Sequence, residues 1–350
     1  MAYTTIDDPS AQFQTLLYTG NSSSPRDLVN DGNSDLQPDF VWVKGRSHAD
    51  IHLLYDSSRG GGNFLRSASS AAENTGGFGV TAFNSDGFRT NAYAYTNENT
   101  HTYVAWQWKA NGGTTASNSN GSITSTVQAN TDAGMSIVQY TGTGSAATIG
   151  HGLGVAPAMY IVKNRDQTGT NWTVFHKDLT SNAYSLYLNS TAAQSNSVGY
   201  WNGTSPTSTV FSIKNTSGDV NTNTEDYVVY CFANVQGYSK AGKYIGNGST
   251  DNAFVYTGFK PACVIIKCSS AVSHWRIFDH KRLGYNPSNE KLYPNLDNAE
   301  GTATEIDFLS NGFKIRSSDT DVGNNSSDYI YMAWAENPFV SSEGVPTTAR

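Results

Sequence analysis

The sequence predicts an all-β protein made of three tandem antiparallel β-sandwiches, and three observations carry that prediction. One set of strand signals occurs three times in the same order, a closing strand alternates with a period of two, and Asp-Gly or Asn-Gly hairpin turns join strand-like runs. The bulk numbers agree. At 350 residues the chain exceeds what one core usually serves. It is rich in Gly, Ser, Thr and Asn, but at 12% aromatic and only 15% charged it does not read as a disordered chain, which would be poor in aromatic and β-branched residues.

Each copy opens with an aromatic residue and a nearby glycine: Tyr18-Thr19-Gly20, Tyr140-Thr141-Gly142 and, as the sequence reads, Tyr256-Thr257-Gly258. A proline then leads an apolar run that ends in lysine six residues later, Pro38 to Lys44, Pro157 to Lys163 and Pro261 to Lys267. Apolar residues on consecutive positions mark a strand covered on both faces. Proline at its start does least damage to a ladder, and the lysine is expected to bury its stem while its ammonium reaches the rim. A short segment follows, ending at Asp56, His176 or Asp279. The unit closes on Tyr103–Trp108, Tyr227–Phe232 or Tyr329–Trp334. Counting from each tyrosine, positions one, three and five are large and apolar in all copies, so this face lies over a core.

Turn chemistry supports the order. Ser85-Asp86-Gly87-Phe88 and Ser310-Asn311-Gly312-Phe313 read as tight hairpins, whereas copy two has Ser205-Pro206-Thr207-Ser208 and should differ there. Helix is nearly absent, with one short turn expected over Ala68 to Asn74. The resulting organisation is an arm over 1–10, units at 11–110, 134–236 and 243–337, a linker over 111–133 and a tail over 338–350. Within the linker, Ile123 to Val127 has strand propensity and could pair with a neighbour.

Function classes narrow by exclusion. A net charge of −7 with no basic track beyond His280-Lys281-Arg282 argues against nucleic acid. No apolar run is long enough for a membrane helix, and the acidic start Thr5-Ile6-Asp7-Asp8-Pro9 does not read as a signal peptide. Three cysteines form no disulfide framework. Cys263 and Cys268 share one strand, about 16 Å apart at strand rise, and read as small buried hydrophobes. No hydrolase elbow, zinc-protease, Cys-x-x-Cys or phosphate-loop motif is present, so a non-enzymatic role is expected. His48, His52 and Asp56 are explained better by the repeat than by a metal.

Two groups stand out as candidate sites. Tyr93 and Tyr95 would share one face of a strand, and Tyr200-Trp201 sits in a Gly/Ser/Asn-rich loop. Flat rings beside amides and hydroxyls suit sugar faces or protein hot spots. Asp31, Asn33 and Asp35 place oxygens at alternate positions as a calcium loop begins, although Leu36 and Trp42 stand where glycine and glutamate belong. A solvated turn is the competing reading.

Several phrases carry a family likeness: Tyr3-Thr4-Thr5-Ile6-Asp7-Asp8-Pro9, the run Trp106 to Thr114, Gly150-His151-Gly152-Leu153-Gly154-Val155-Ala156-Pro157, and Ala335-Glu336-Asn337-Pro338-Phe339. Together they resemble tandem-repeat virion proteins of tailed bacteriophages of aquatic bacteria, over nearly the whole chain. The resemblance implies stacked β-sandwiches of lectin-like or jelly-roll-like shape. It also implies a structural protein made in the host cytoplasm and placed on the virion exterior. A tail, fibre or appendage component touching the host surface, and binding glycan there, is one expectation. Capsid decoration or a tail connector is the other. Other virion proteins, including further copies of the chain, are the expected partners. No catalytic residue is carried over.

Overall fold

Four strands recur in identical order in the computed structural model, which describes residues 2–215, 217–282 and 286–347. The opening strands are Phe13–Thr19, Met135–Thr141 and Ser239–Ile245, and the proline-led strands are Phe40–Gly45, Met159–Asn164 and Phe259–Cys268. The short strands are Leu53–Asp56, Thr173–His176 and Arg276–Asp279, and the closing strands are Thr102–Trp108, Asp226–Phe232 and Asp328–Pro338. Each set pairs antiparallel as opening, closing, proline-led, short. Over each lies a smaller sheet. In unit 1 it is Arg26–Leu28, Phe88–Thr90 and Val80–Phe83; in unit 2, Ala147–Gly150 with Val210–Ile213; in unit 3, four strands from Phe254–Tyr256 to Gly312–Ile315. The protein is all-β.

The closing strand decides how the units meet. Even offsets from its tyrosine, such as Tyr103, Ala105, Tyr227 and Val229, pack into the unit's own sandwich. The bulky odd offsets belong to one shared core containing Val104, Trp106, Trp108, Val228, Tyr230, Phe232, Ile330, Met332 and Trp334. Its centre is a ring of three equivalent residues. Trp108 lies 5.1 Å from Trp334, Trp334 5.2 Å from Phe232, and Phe232 6.2 Å from Trp108. The three units therefore close around a pseudo-threefold axis, with a residual apolar void of about 10 Å³ between them. That is too little, and too apolar, to hold an ordered water.

Several expectations need correction. The opening signal of copy three is Tyr244-Ile245-Gly246, not Tyr256-Thr257-Gly258. Tyr244 pairs with and stacks on Tyr329 as Tyr18 does on Tyr103 and Tyr140 on Tyr227. Tyr256 ends a strand of the smaller sheet instead. Residues 111–133 are not a plain linker, because Ala116–Asn118 and Ser125–Asn130 extend the unit 2 sheet. The short helices are Pro9–Ala11 and Ala94–Asn97, with only a turn near Ala68. The cysteines are buried and free as expected.

The lysines do not reach the rim. Lys44, Lys163 and Lys267 are all buried, with each ammonium held by neutral groups. Lys44 Nζ donates to the Gly45 carbonyl at 2.7 Å, Lys163 to Thr170 Oγ1 at 2.7 Å, and Lys267 to the Cys268 carbonyl at 2.7 Å. Burial pushes each pKa down to about 8. A lysine whose folded pKa is depressed carries its full penalty below that pKa. In the window from about 8 to the ordinary 10.5 the unfolded chain binds more protons, so folding stability rises with pH there. Comparing urea midpoints of the wild type and Lys44→Met from pH 7 to 9.5 should show the wild type gaining on the variant. Parallel profiles would contradict the buried charge.

Candidate functional site

Two features are built beyond what the core requires: polar seams between the units, and an aromatic cluster on the rim of unit 1. At the seam of units 1 and 2, Asp56 ends a short strand and takes Arg59 Nε at 2.5 Å. Arg59 reaches Glu73 at 2.6 Å, and Glu73 reaches Arg165 of unit 2 at 2.8 Å. Tyr230, on the closing strand of unit 2, donates its hydroxyl to Asp56 at 2.8 Å. Burial would lower the Arg59 pKa, but Asp56, Tyr230 and Glu73 reverse it and hold the guanidinium above its ordinary value.

The seam of units 3 and 1 repeats this quartet. Asp279 takes Arg282 at 2.6 Å, Arg282 meets Glu300 at 3.0 Å, and Glu300 meets Arg46 of unit 1 at 2.8 Å. Trp106 Nε1, the counterpart of the Tyr230 hydroxyl, donates to Asp279 at 3.0 Å. Burial opposes ionisation of Asp279, yet Arg282 holds its pKa below the usual value.

At the seam of units 2 and 3 all four positions are neutral: His176, Leu179, Gln194 and Ser269. The backbone fixes the correspondence, because the N–H groups of Glu73, Gln194 and Glu300 donate to the carbonyls of Arg165, Ser269 and Arg46 at 2.7, 2.9 and 2.8 Å. His176 Nδ1 accepts from the Asp178 N–H, so Nε2 carries the proton and donates to the Tyr331 carbonyl at 3.1 Å. Burial pushes its pKa down to about 4 and keeps the imidazole neutral. The seams thus hold charge in matched sets, and their chemistry is structural.

The rim cluster uses loops of unit 1. Phe78 stacks on Tyr93 at 5.1 Å and 24°, and Tyr95 meets Tyr93 edge-on at 5.3 Å. Phe64 lies 5.9 Å from Tyr93, with the Arg66 guanidinium 5.5 Å over the Phe64 ring. Phe78 sits between Gly77 and Gly79, both at positive φ, and Asn91 clamps this loop from both sides. Asn91 accepts from the Gly79 N–H at 3.0 Å and donates to the Gly77 carbonyl at 2.9 Å. Phe78 is left 45% exposed, an unusual state for phenylalanine in this chain.

The sequence candidates divide. Tyr93 and Tyr95 come together and stay half-exposed, but as the N-cap and second residue of a helical turn at Ala94–Asn97 instead of on a strand. Tyr200 and Trp201 are not exposed at all; both lie in the unit 2 core. Trp201 packs on Tyr160 and Phe175, and Tyr200 donates to Asp219. In the calcium candidate, protein groups hold the loop. Asp31 is taken by Lys281 at 3.1 Å, Asn33 and Asp35 are exposed, and the loop is held by Gln14, whose amide spans the Gly32 N–H and the Ser34 carbonyl. Among the described residues no group of three His, Cys, Asp or Glu could hold a metal. Phe78 was missed because it repeats nowhere; its flanking glycines were the available signal.

A family described as a domain of unknown function, DUF7483, matches residues 8–338. The chain belongs to the DUF7483 family. Its matched span runs through all three units, so the DUF7483 module is the closed cluster and not one sandwich. No curated protein and no solved structure matches this DUF7483 chain.

Proposed function

We propose that this DUF7483 protein is a non-enzymatic bacteriophage virion structural protein on the particle exterior, a tail, fibre or appendage component. It contacts the host surface through the rim of unit 1, with glycan as the ligand class. The observation that carries this reading is the Phe78–Tyr93–Tyr95 cluster, clamped by Asn91, with Phe78 exposed and both tyrosines half-exposed. Rings held rigidly beside amide groups bind sugar faces at small entropic cost. The phage phrases in the sequence supply the setting.

The test is a Phe78→Ala/Tyr93→Ala double variant in the intact phage. Adsorption to host cells, or glycan-array binding of the purified chain, should fall at least tenfold with an unchanged melting transition. Unchanged adsorption would end the host-contact reading. Cryo-EM density for the chain on the capsid, away from the tail, would replace it with the decoration alternative.

A further inference from the structure

The three opening strands occupy equivalent places but have different outer edges. In unit 2 the edge is covered: Ser125–Asn130 pairs along Met135–Thr141, with Gln128 opposite Ile137 and Asn130 opposite Met135. The buried Gln128 side chain also fills the seam towards unit 1. It donates to Ser57 and Ser58 Oγ at 2.9 and 2.8 Å and accepts from the Gly113 N–H at 2.9 Å. In unit 3 the opening strand ends its sheet but carries Lys240 and Lys243, and lysines on an edge discourage pairing.

Unit 1 has neither device. Its opening strand, Phe-Gln-Thr-Leu-Leu-Tyr-Thr, ends its sheet without a charge or a proline. Phe13 and Thr15 face Trp108 and Trp106 as Met135 and Ile137 face Phe232 and Tyr230, so the positions correspond. Where Gln128 to Asn130 would lie, unit 1 has a cavity of about 190 Å³ lined by Phe13, Gln14, Thr15, His280, Lys281 and Glu336. His280 and Lys281 follow Asp279 as Ser57 and Ser58 follow Asp56. Thr15, one of the residues that line this cavity, is 2% exposed, and its hydroxyl has no hydrogen-bond partner. A buried hydroxyl left unpaired is costly and points to a group that completes it.

We propose that an extended segment of a partner protein adds as a strand to the unit 1 opening strand and sets an Asn or Gln side chain into this cavity. The segment is uncharged and built from small polar and β-branched residues, as Ser125–Asn130 is. Backbone pairing along Phe13 to Leu17 supplies affinity, and the amide between Thr15, His280 and Lys281 supplies register. A second copy of this chain does not serve, because its own strand of this kind is already used in its unit 2. The proposal stands apart from the host-contact reading, since it concerns the opposite use of unit 1, attachment instead of recognition.

The probe is a labelled peptide copying residues 122–131, titrated into the full chain by fluorescence anisotropy. Saturable one-to-one binding is expected, with amide hydrogen exchange slowed at residues 13–17. A peptide with Gln128→Glu should bind at least tenfold more weakly, as should a chain with Leu17→Lys, which puts a charge on the bare edge. No saturable binding at millimolar peptide overturns the proposal, and so does equal binding to Leu17→Lys. If Leu17→Lys melts early, the exchange pattern on the wild type decides: slowing elsewhere than 13–17 overturns it. A dimer of the free chain that Leu17→Lys abolishes overturns it in favour of copy-to-copy pairing.

Discussion

Trp108→Ala is expected to lower unfolding free energy by about 3–5 kcal/mol, the range for losing a buried large aromatic. Trp108 is 1% exposed and touches Phe13, Phe40, Phe232 and Trp334, so one truncation opens a void facing all three units. Its indole N–H has no hydrogen-bond partner. Trp108→Phe therefore loses volume but no polar contact, and should cost clearly less than the alanine variant because the residual void is smaller. Urea unfolding followed by tryptophan fluorescence and by far-UV circular dichroism checks both variants. Because the core is shared, the transition should stay single for both probes. Two separated transitions, or equal costs for alanine and phenylalanine, would mean the ring of aromatics is not the keystone.

The second large effect concerns the charge quartets. Arg59→Leu leaves Asp56 buried without its cation and Glu73 with Arg165 alone, and breaking such a set from one side costs about 3–5 kcal/mol. The seam of units 2 and 3 shows that the same backbone accepts a neutral set. Copying it, as Asp56→His, Arg59→Leu, Glu73→Gln and Arg165→Ser together, should recover most of the loss, since no buried charge is then left unpaired. Urea midpoints of the single, partial and complete variants decide the point. A complete variant as unstable as Arg59→Leu alone would show that the neutral solution depends on other parts of units 2 and 3.

The repeat was legible because packing demands recur at fixed spacing. Six residues separate proline and lysine in every copy, and the closing strands keep their bulky face at odd offsets. Which core that face covers was not legible. A period of two reports that one side is buried, and says nothing about whether its partner is the unit's own second sheet or another unit. The quartets were half visible: Asp56, His176 and Asp279 align, and Arg59, Leu179 and Arg282 follow three residues later. Glu73, Gln194 and Glu300 come 17, 18 and 21 residues on, and those unequal loops hide the match.

Where the candidate residues lie has local reasons. Tyr200 and Trp201 lie in a stretch whose glycines and serines suggest exposure, but the smaller sheet of unit 2 has only two strands. Their rings pack into the core beneath it, against residues such as Tyr160 and Phe175. The Asp31–Asp35 loop has acidic spacing without a cation's geometry, because the Gln14 amide, invisible in the local motif, already satisfies its backbone.

The closed ring of units has a consequence for how such a chain can change. In a homotrimer, every substitution at the rim appears three times, and each must be tolerated at all three places. Here one polypeptide supplies three unequal lobes, so unit 1 can carry Phe78, Tyr93 and Tyr95 while the other two keep different loops. A single mutation then alters one face of the assembly, and diversification can proceed lobe by lobe without disturbing the seams.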